Sequence, residues 1–142
     1  MGPDKQQTPH LTFEELTSKT EGLILLTGGV EGPLGRQILM GQADFAAELL
    51  QKLVAAYPGR TYIELQRHGQ PNEDQCEPVF LDLAYKQNIP LVATNEAFFL
   101  TPDMYEAHDA MLCIAEKTFV TEENRRRVTP EHYLKTDRKS VV

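Results

Sequence analysis

The side chains of this sequence best suited to chemistry are Glu64, His68 and Glu96. An imidazole and carboxylates are the donor types of a divalent-metal site, and His68 stands in Arg67-His68-Gly69, just past the strand-like Tyr62-Ile63-Glu64-Leu65. In an extended chain Glu64 and His68 would lie about 13 Å apart at ~3.3 Å per residue, too far to share one ion easily. His68 is thus the better ligand at a strand end, with a hydrogen-bonding loop histidine as the competing reading. Glu96, in Ala-Thr-Asn-Glu-Ala-Phe-Phe, offers a carboxylate to a hard or borderline metal, but Phe98 beside it can donate nothing. One histidine and one distant carboxylate are an incomplete set, and no residue is assigned as catalytic or as cofactor-binding.

Other candidates are weaker. The loop Thr-Gly-Gly-Val-Glu-Gly-Pro-Leu-Gly, residues 27–35, invites a phosphate cradle, yet Val30 stands where a dinucleotide fingerprint needs glycine, and no Gly-Lys-Ser/Thr follows. It reads as a structural turn with Glu31 at its rim. His108 falls on a helical stripe with Met104, Met111, Leu112 and Ala115, which makes it a packed, hydrogen-bonded core residue. Neither Ser18 nor Ser140 sits on a nucleophile elbow. Arg125-Arg126-Arg127 follows two glutamates and has no interleaved aromatics, so it reads as a solvated face.

The elements that must position these groups follow from the apolar pattern. Thr12 and Glu15 match a capping box before a short helix through Lys19. Residues 23–26, Leu-Ile-Leu-Leu, read as a strand buried on both faces. After a Gly- and Pro-rich loop, Asp44 would cap a helix with Phe45, Leu49, Leu50, Leu53, Val54 and Tyr57 inward, stopped by Pro58-Gly59. Residues 61–66 form a second strand. Asn72 would cap a second main helix, with Val79, Phe80, Leu83 and Ala84 as its buried stripe, ending near Asn88. Residues 91–94 form a third strand and residues 102–115 a third main helix. Thr118-Phe119-Val120 and His132-Tyr133-Leu134 are candidate short extended pieces.

Strand–helix alternation at roughly 30-residue intervals predicts an α/β fold with three to four parallel strands, in which functional groups gather at the carboxyl ends of the strands. A closed barrel normally takes about 250 residues and eight strands, so this chain accounts for a partial β/α barrel or an open sheet. Residues 1–11 read as a disordered leader of the kind an expression vector adds, 12–136 as the domain, and 137–142 as a tail.

The chain has 142 residues and carries 21 acidic against 14 basic residues, which argues against a surface built mainly to neutralise nucleic-acid phosphates. Cys76 and Cys113 form no Cys-x-x-Cys pair, so neither a zinc ribbon nor a disulfide framework is expected. No window approaches the ~20 apolar residues of a membrane span, and a cytoplasmic location without membrane contact is expected.

At Gly-Leu-Ile-Leu-Leu-Thr-Gly-Gly-Val-Glu-Gly-Pro-Leu-Gly, Tyr-Ile-Glu-Leu-Gln-Arg-His-Gly, Ile-Pro-Leu-Val-Ala-Thr-Asn-Glu-Ala-Phe-Phe-Leu and Glu-Ala-His-Asp-Ala-Met-Leu-Cys-Ile-Ala-Glu-Lys-Thr-Phe, the chain resembles the PHP (polymerase and histidinol phosphatase) domain of the bacterial DNA polymerase III alpha subunit. The resemblance runs from about residue 21 to 135. It implies the later part of a distorted β/α barrel in a DNA-directed DNA polymerase, a nucleotidyltransferase of DNA replication whose catalytic carboxylates lie in a separate palm domain.

In that family, metal-complete members hold divalent ions, zinc, manganese or magnesium, at the strand ends and carry 3′–5′ exonuclease activity. The family's opening His-x-His segment has no counterpart here, because Pro9-His10-Leu11 does not fit it. By the same resemblance His68 matches a metal-ligand histidine, whereas the family's Asp-x-His appears as Glu96, Ala97 and Phe98. The implied metal site, His68 and Glu96, is degenerate and the segment itself is expected to hold no cofactor. The partners implied are the remainder of the alpha subunit and, through it, a proofreading exonuclease subunit and DNA; exposed sheet edges add the prospect of a homo-oligomer.

The reading that follows is a structural, non-catalytic segment of that polymerase domain. Its alternatives are a metal-dependent phosphoesterase or 3′–5′ exonuclease completed by another chain, and a small binding module using the glycine loop.

Overall fold

The computed structural model describes residues 10–136, so nearly all of the expected leader and the whole expected tail lie outside the described residues. Elements run in the order α1 (Phe13–Ser18), β1 (Leu25–Leu26), α2 (Pro33–Leu39), α3 (Ala43–Ala56), β2 (Thr61–Leu65), α4 (Pro71–Gln87), β3 (Leu91–Ala93) and α5 (Tyr105–Glu116). Single 3-10 turns stand at Gly29–Glu31 and Pro102–Met104. The strands form one parallel sheet in the order β1-β2-β3, with Leu25 opposite Thr61 and Ile63 opposite Leu91. The α/β alternation is as expected. Among the described residues the sheet is open, and the piece expected at residues 132–134 makes only an isolated parallel bridge, Tyr133 to Phe99.

Thr12 caps α1 through the expected reciprocal pair: its N–H donates to Glu15 Oε2 at 2.8 Å, and the Glu15 N–H donates to Thr12 Oγ1 at 3.2 Å. Tyr57, buried at the end of α3, ties this helix down by donating its hydroxyl to Leu16 O at 2.6 Å.

The core lies between the sheet and α2, α3 and α4, with Leu34, Ala46, Leu50, Ile63 and Cys76 fully buried. Burial raises the Cys76 thiol above its ordinary pKa, in keeping with an inert packed side chain.

Several boundaries differ from the sequence reading, each for a local reason. The glycine- and proline-containing stretch holds a helix, α2, because Pro33 occupies its first position and Gly32 and Gly35 allow close packing. A Cβ on Gly32 would stand 1.9 Å from Thr27 O, and one on Gly35 would stand 2.4 Å from Val30 O. Helix α3 starts one residue before Asp44, with Gln42 at its cap, and Phe45 is exposed rather than inward.

Helix α4 is capped not by Asn72 but by Gln70, whose partner Glu73 completes a capping box after Pro71. Strand β1 is only two residues long and is not buried on both faces, since Ile24 is 66% exposed and Leu23 and Leu26 are also exposed. No strand forms at residues 118–120.

Candidate functional site at the strand ends

Three loops leave the carboxyl ends of the strands: residues 27–31 after β1, 66–70 after β2, and 94–98 after β3. A fourth segment, residues 128–134, lies across them. Together they enclose a cleft of about 360 Å³ whose walls include Glu31, Gln66, His68, Glu96, Phe98, Arg126, Arg127 and His132. The strand-end location is the one the α/β pattern predicts.

Glu64 is buried in the middle strand and does not face the cleft as a free carboxylate. Its Oε2 accepts the Gly28 N–H at 2.9 Å, and its Oε1 accepts the Thr94 hydroxyl. Its own N–H donates to Thr27 Oγ1 at 3.0 Å. Glu64 therefore joins the loops after β1 and β3, and an amide of the glycine loop serves this internal carboxylate.

His68 is 2% exposed and every polar atom of it with a hydrogen-bond role is used. Nδ1 stands 2.7 Å from Glu73 Oε1, and the backbone N–H donates to Glu73 Oε2 at 2.6 Å. The Gln70 N–H also donates to Glu73 Oε2, at 3.1 Å. A carboxylate partner puts the ring proton on Nδ1, and the lone pair on Nε2 then accepts the Glu96 N–H at 3.3 Å. The His68 carbonyl accepts the Thr129 hydroxyl at 2.5 Å.

The His132 ring stacks on His68 at 4.0 Å between centroids and 13° between planes. Its Nδ1 lies 3.1 Å from both the N and the Oγ1 of Thr129 and 3.2 Å from the Thr129 O. Burial first, then the neighbouring His68, hold the His132 imidazole below its ordinary pKa. Phe98 stacks on both His132 and His108, extending the row of rings. His108 is packed between Phe98 and Phe99 but is not hydrogen-bonded as expected: its Nδ1 is buried without a partner.

Arg125 is no solvated side chain. It is 4% exposed and forms a two-pronged pair with Asp109 at 2.5 and 2.6 Å, which lowers the Asp109 pKa. Arg126 and Arg127 reach the cleft wall.

The structure brings His68 and Glu96 together, but through the Glu96 backbone N–H, and leaves Glu64 in the strand. A histidine whose Nδ1–H meets a carboxylate is the outer-shell pattern of a metal ligand, with Nε2 aimed at the ion. Here the His68 lone pair is spent on the Glu96 backbone N–H. Nearly parallel rings also cannot aim their in-plane lone pairs at one ion, and Phe98 supplies no donor. These residues do not fit a divalent metal, and among the described residues no group of three or more His, Cys, Asp or Glu side chains is arranged to hold one.

Glu73, Thr129 and His132 went unremarked in the sequence as site residues. Glu73 had a signal, since it stands three residues after the cap Gln70 in a capping-box spacing; His132 and Thr129 come from far along the chain and had none.

Comparison with known proteins gives this geometry its class. The family model described as "PHP domain" matches residues 2–68. DNA polymerase III subunit alpha of Caulobacter vibrioides is 42% identical over 127 residues, which is 89% of this chain and 11% of that protein. The subunit of Rickettsia bellii is 34% identical over 138 residues, 97% of this chain and 12% of that protein, and that of Pseudomonas aeruginosa 35% over 117 residues, 82% and 10%. The chain corresponds to the PHP domain of the DNA polymerase III alpha subunit. It spans about a tenth of the length of the curated relatives it matches.

Proposed function

We propose that this segment acts as a structural, non-catalytic part of a replicative polymerase alpha subunit, in which His68 fastens the strand ends to one another instead of holding a metal. The observation that carries this reading is the fate of the His68 imidazole lone pair: Nε2 accepts the Glu96 N–H. His68 thereby joins α4, the loop after β3 and residues 128–134, the connection a metal ion would make in a metal-complete site. Nucleotidyl transfer, DNA contact and a proofreading exonuclease subunit belong, in this proposal, to the longer polypeptide in a cytoplasmic replication complex.

The test is metal uptake by the purified chain. Calorimetric titration with zinc and with manganese is expected to give no tight site, and p-nitrophenyl phosphate and thymidine monophosphate p-nitrophenyl ester no turnover. Stoichiometric binding that vanishes in His68→Ala, together with ester hydrolysis, would overturn it.

A second reading, a phosphoesterase or 3′–5′ exonuclease completed by another segment, draws on Arg126 and Arg127 at the cleft wall, where guanidinium groups suit a phosphodiester. Its test is to add the family's amino-terminal PHP segment in trans and look for metal-dependent release of nucleotides from a single strand.

A further inference from the structure

Past the end of α5 the chain is held almost without apolar burial. Between residues 118 and 136 only Val128 and His132 are buried, while Phe119, Val120 and Leu134 are exposed. Polar links fix the segment instead, at two places. At the first, the buried Arg125 guanidinium pairs with Asp109 of α5. At the second, beside the strand ends, the Thr129 hydroxyl donates to His68 O and the Asn95 side-chain amide donates to Tyr133 O at 2.9 Å. There the Phe98 N–H also donates to His132 O at 2.9 Å, and the Leu134 N–H to Phe99 O at 2.8 Å.

The segment is bonded to itself as well. Arg125 Nη2 donates to Val120 O at 3.3 Å, Arg127 Nη2 to Glu122 O at 3.2 Å, and the His132 N–H to Thr129 O at 3.2 Å. Such internal links keep a piece together when its outward anchors break, so that it opens as a unit. It leaves α5 at Lys117, whose φ is 54°, and the end of an element is where a hinge absorbs a change of backbone angle. The closed position is poised, because it keeps a guanidinium out of water with its Nε lacking a partner, and the Asp109 pair must offset both costs.

We propose that residues 118–134 are a hinged strap, latched by Arg125 on Asp109, whose lifting opens the strand-end cleft and uncovers the His68 ring. In the closed position His132 covers one face of that ring, and Arg126, Arg127, Val128 and His132 form one wall of the cleft. All of these leave with the strap. Glu73 and Glu96, the other partners of the His68 ring, belong to α4 and to the loop after β3, and they stay.

The test compares the full chain with Asp109→Ala, which leaves Arg125 without its carboxylate, and with Glu106→Ala, which removes an exposed acid of the same helix. In the unmodified chain the Phe98 and Leu134 amides are expected to share one protection factor against hydrogen exchange, about a hundred-fold below that of the Ile63 amide in the sheet. Asp109→Ala, though its bond lies at the other anchor, should quicken both amides by the same factor, about ten-fold, and Glu106→Ala neither. Reaction of His68 with diethyl pyrocarbonate, followed by peptide mass spectrometry, should quicken in Asp109→Ala to the same extent. Protection at Phe98 and Leu134 equal to that at Ile63 would mean that the whole chain opens at once and overturns the strap. Exchange there that ignores Asp109→Ala, or responds equally to Glu106→Ala, overturns the latch. Quickened exchange with His68 still shielded from the reagent overturns the strap as the cover of His68.

Discussion

The two sides of this molecule are held by different physics. Between the sheet and α2, α3 and α4, apolar side chains close on one another: Leu34, Leu50, Ile63 and Cys76 are fully buried and Phe80 nearly so. On the side of α5 and residues 118–134, large apolar groups such as Ile114 and Phe119 face outward. Order there comes from polar links, namely Glu73 with His68, Thr129 with the His68 carbonyl, and Arg125 with Asp109. The first side is a finished core. The second is ordered but, among the described residues, not covered.

Truncation separates the two sides most sharply. Leu50→Ala removes a fully buried side chain and is expected to cost about 2–5 kcal/mol in urea unfolding, enough to unfold much of a marginal domain. Equal costs for Leu50→Ala and Ile114→Ala would erase the contrast.

The packed side was also the legible side. Leu50, Leu53, Phe80, Leu83 and Ala84 repeat at helical spacing, and a period of that kind survives because burial enforces it. On the open side the same inference held only in part: of the expected stripe His108 and Leu112 lie inward, while Met104, Met111 and Ala115 are exposed. The short run at residues 23–26 was read as buried for the same reason.

Of the site, the strand-end position and His68 followed from the β/α pattern and the family resemblance. The roles of Glu73 and His132 did not, because one depends on where a helix is capped and the other on a contact spanning more than sixty positions. Nothing in the order of residues shows that the His68 imidazole lone pair ends on a backbone N–H group.

The joint between the two sides is the next place to break. Glu73→Ala leaves the N–H groups of His68 and Gln70 and the His68 ring N–H without their acceptor, and unsatisfied buried donors cost about 1–3 kcal/mol each, less where water enters. A loss of about 2–3 kcal/mol is expected. Hydrogen exchange should locate it: the amides of Phe98 and Leu134, which donate to His132 O and Phe99 O, should lose protection before that of Ile63, which donates to Pro90 O in the sheet. Simultaneous loss at all three would mean that the two sides unfold as one.

Acid should loosen the open side first. The folded pKa of His132 is lowered by burial and by His68, so the contribution is complete above the ordinary value of about 6.5 and is lost as pH falls below it. That of Asp109 is lowered by its hydrogen bonds to Arg125, so its contribution holds above the ordinary carboxylate value of about 3.9 and is lost on further acidification. Melting temperature is therefore expected to fall from pH 7.5 to 5.5, with a shallower slope in His132→Phe. An unchanged slope in that variant would remove His132 as the source.

The smallest effect on stability is expected at the free edge of the sheet. The N–H groups of Leu25 and Thr27 donate to Arg60 O and Tyr62 O of the neighbouring chain segment, so the backbone of Ile24 and Leu26 points away from β2. An unpaired edge with apolar side chains is a template for another strand, and lysine on an edge opposes such pairing. Ile24→Lys should change unfolding free energy by no more than about 0.5 kcal/mol, because the side chain is already in water. Its effect should appear instead in sedimentation velocity, where the unmodified chain is expected to self-associate as concentration rises and the lysine variant to remain monomeric. Association that persists in the variant would assign it to another surface, such as the outer face of α5, while a large loss of stability would mean that β1 is already covered within the chain.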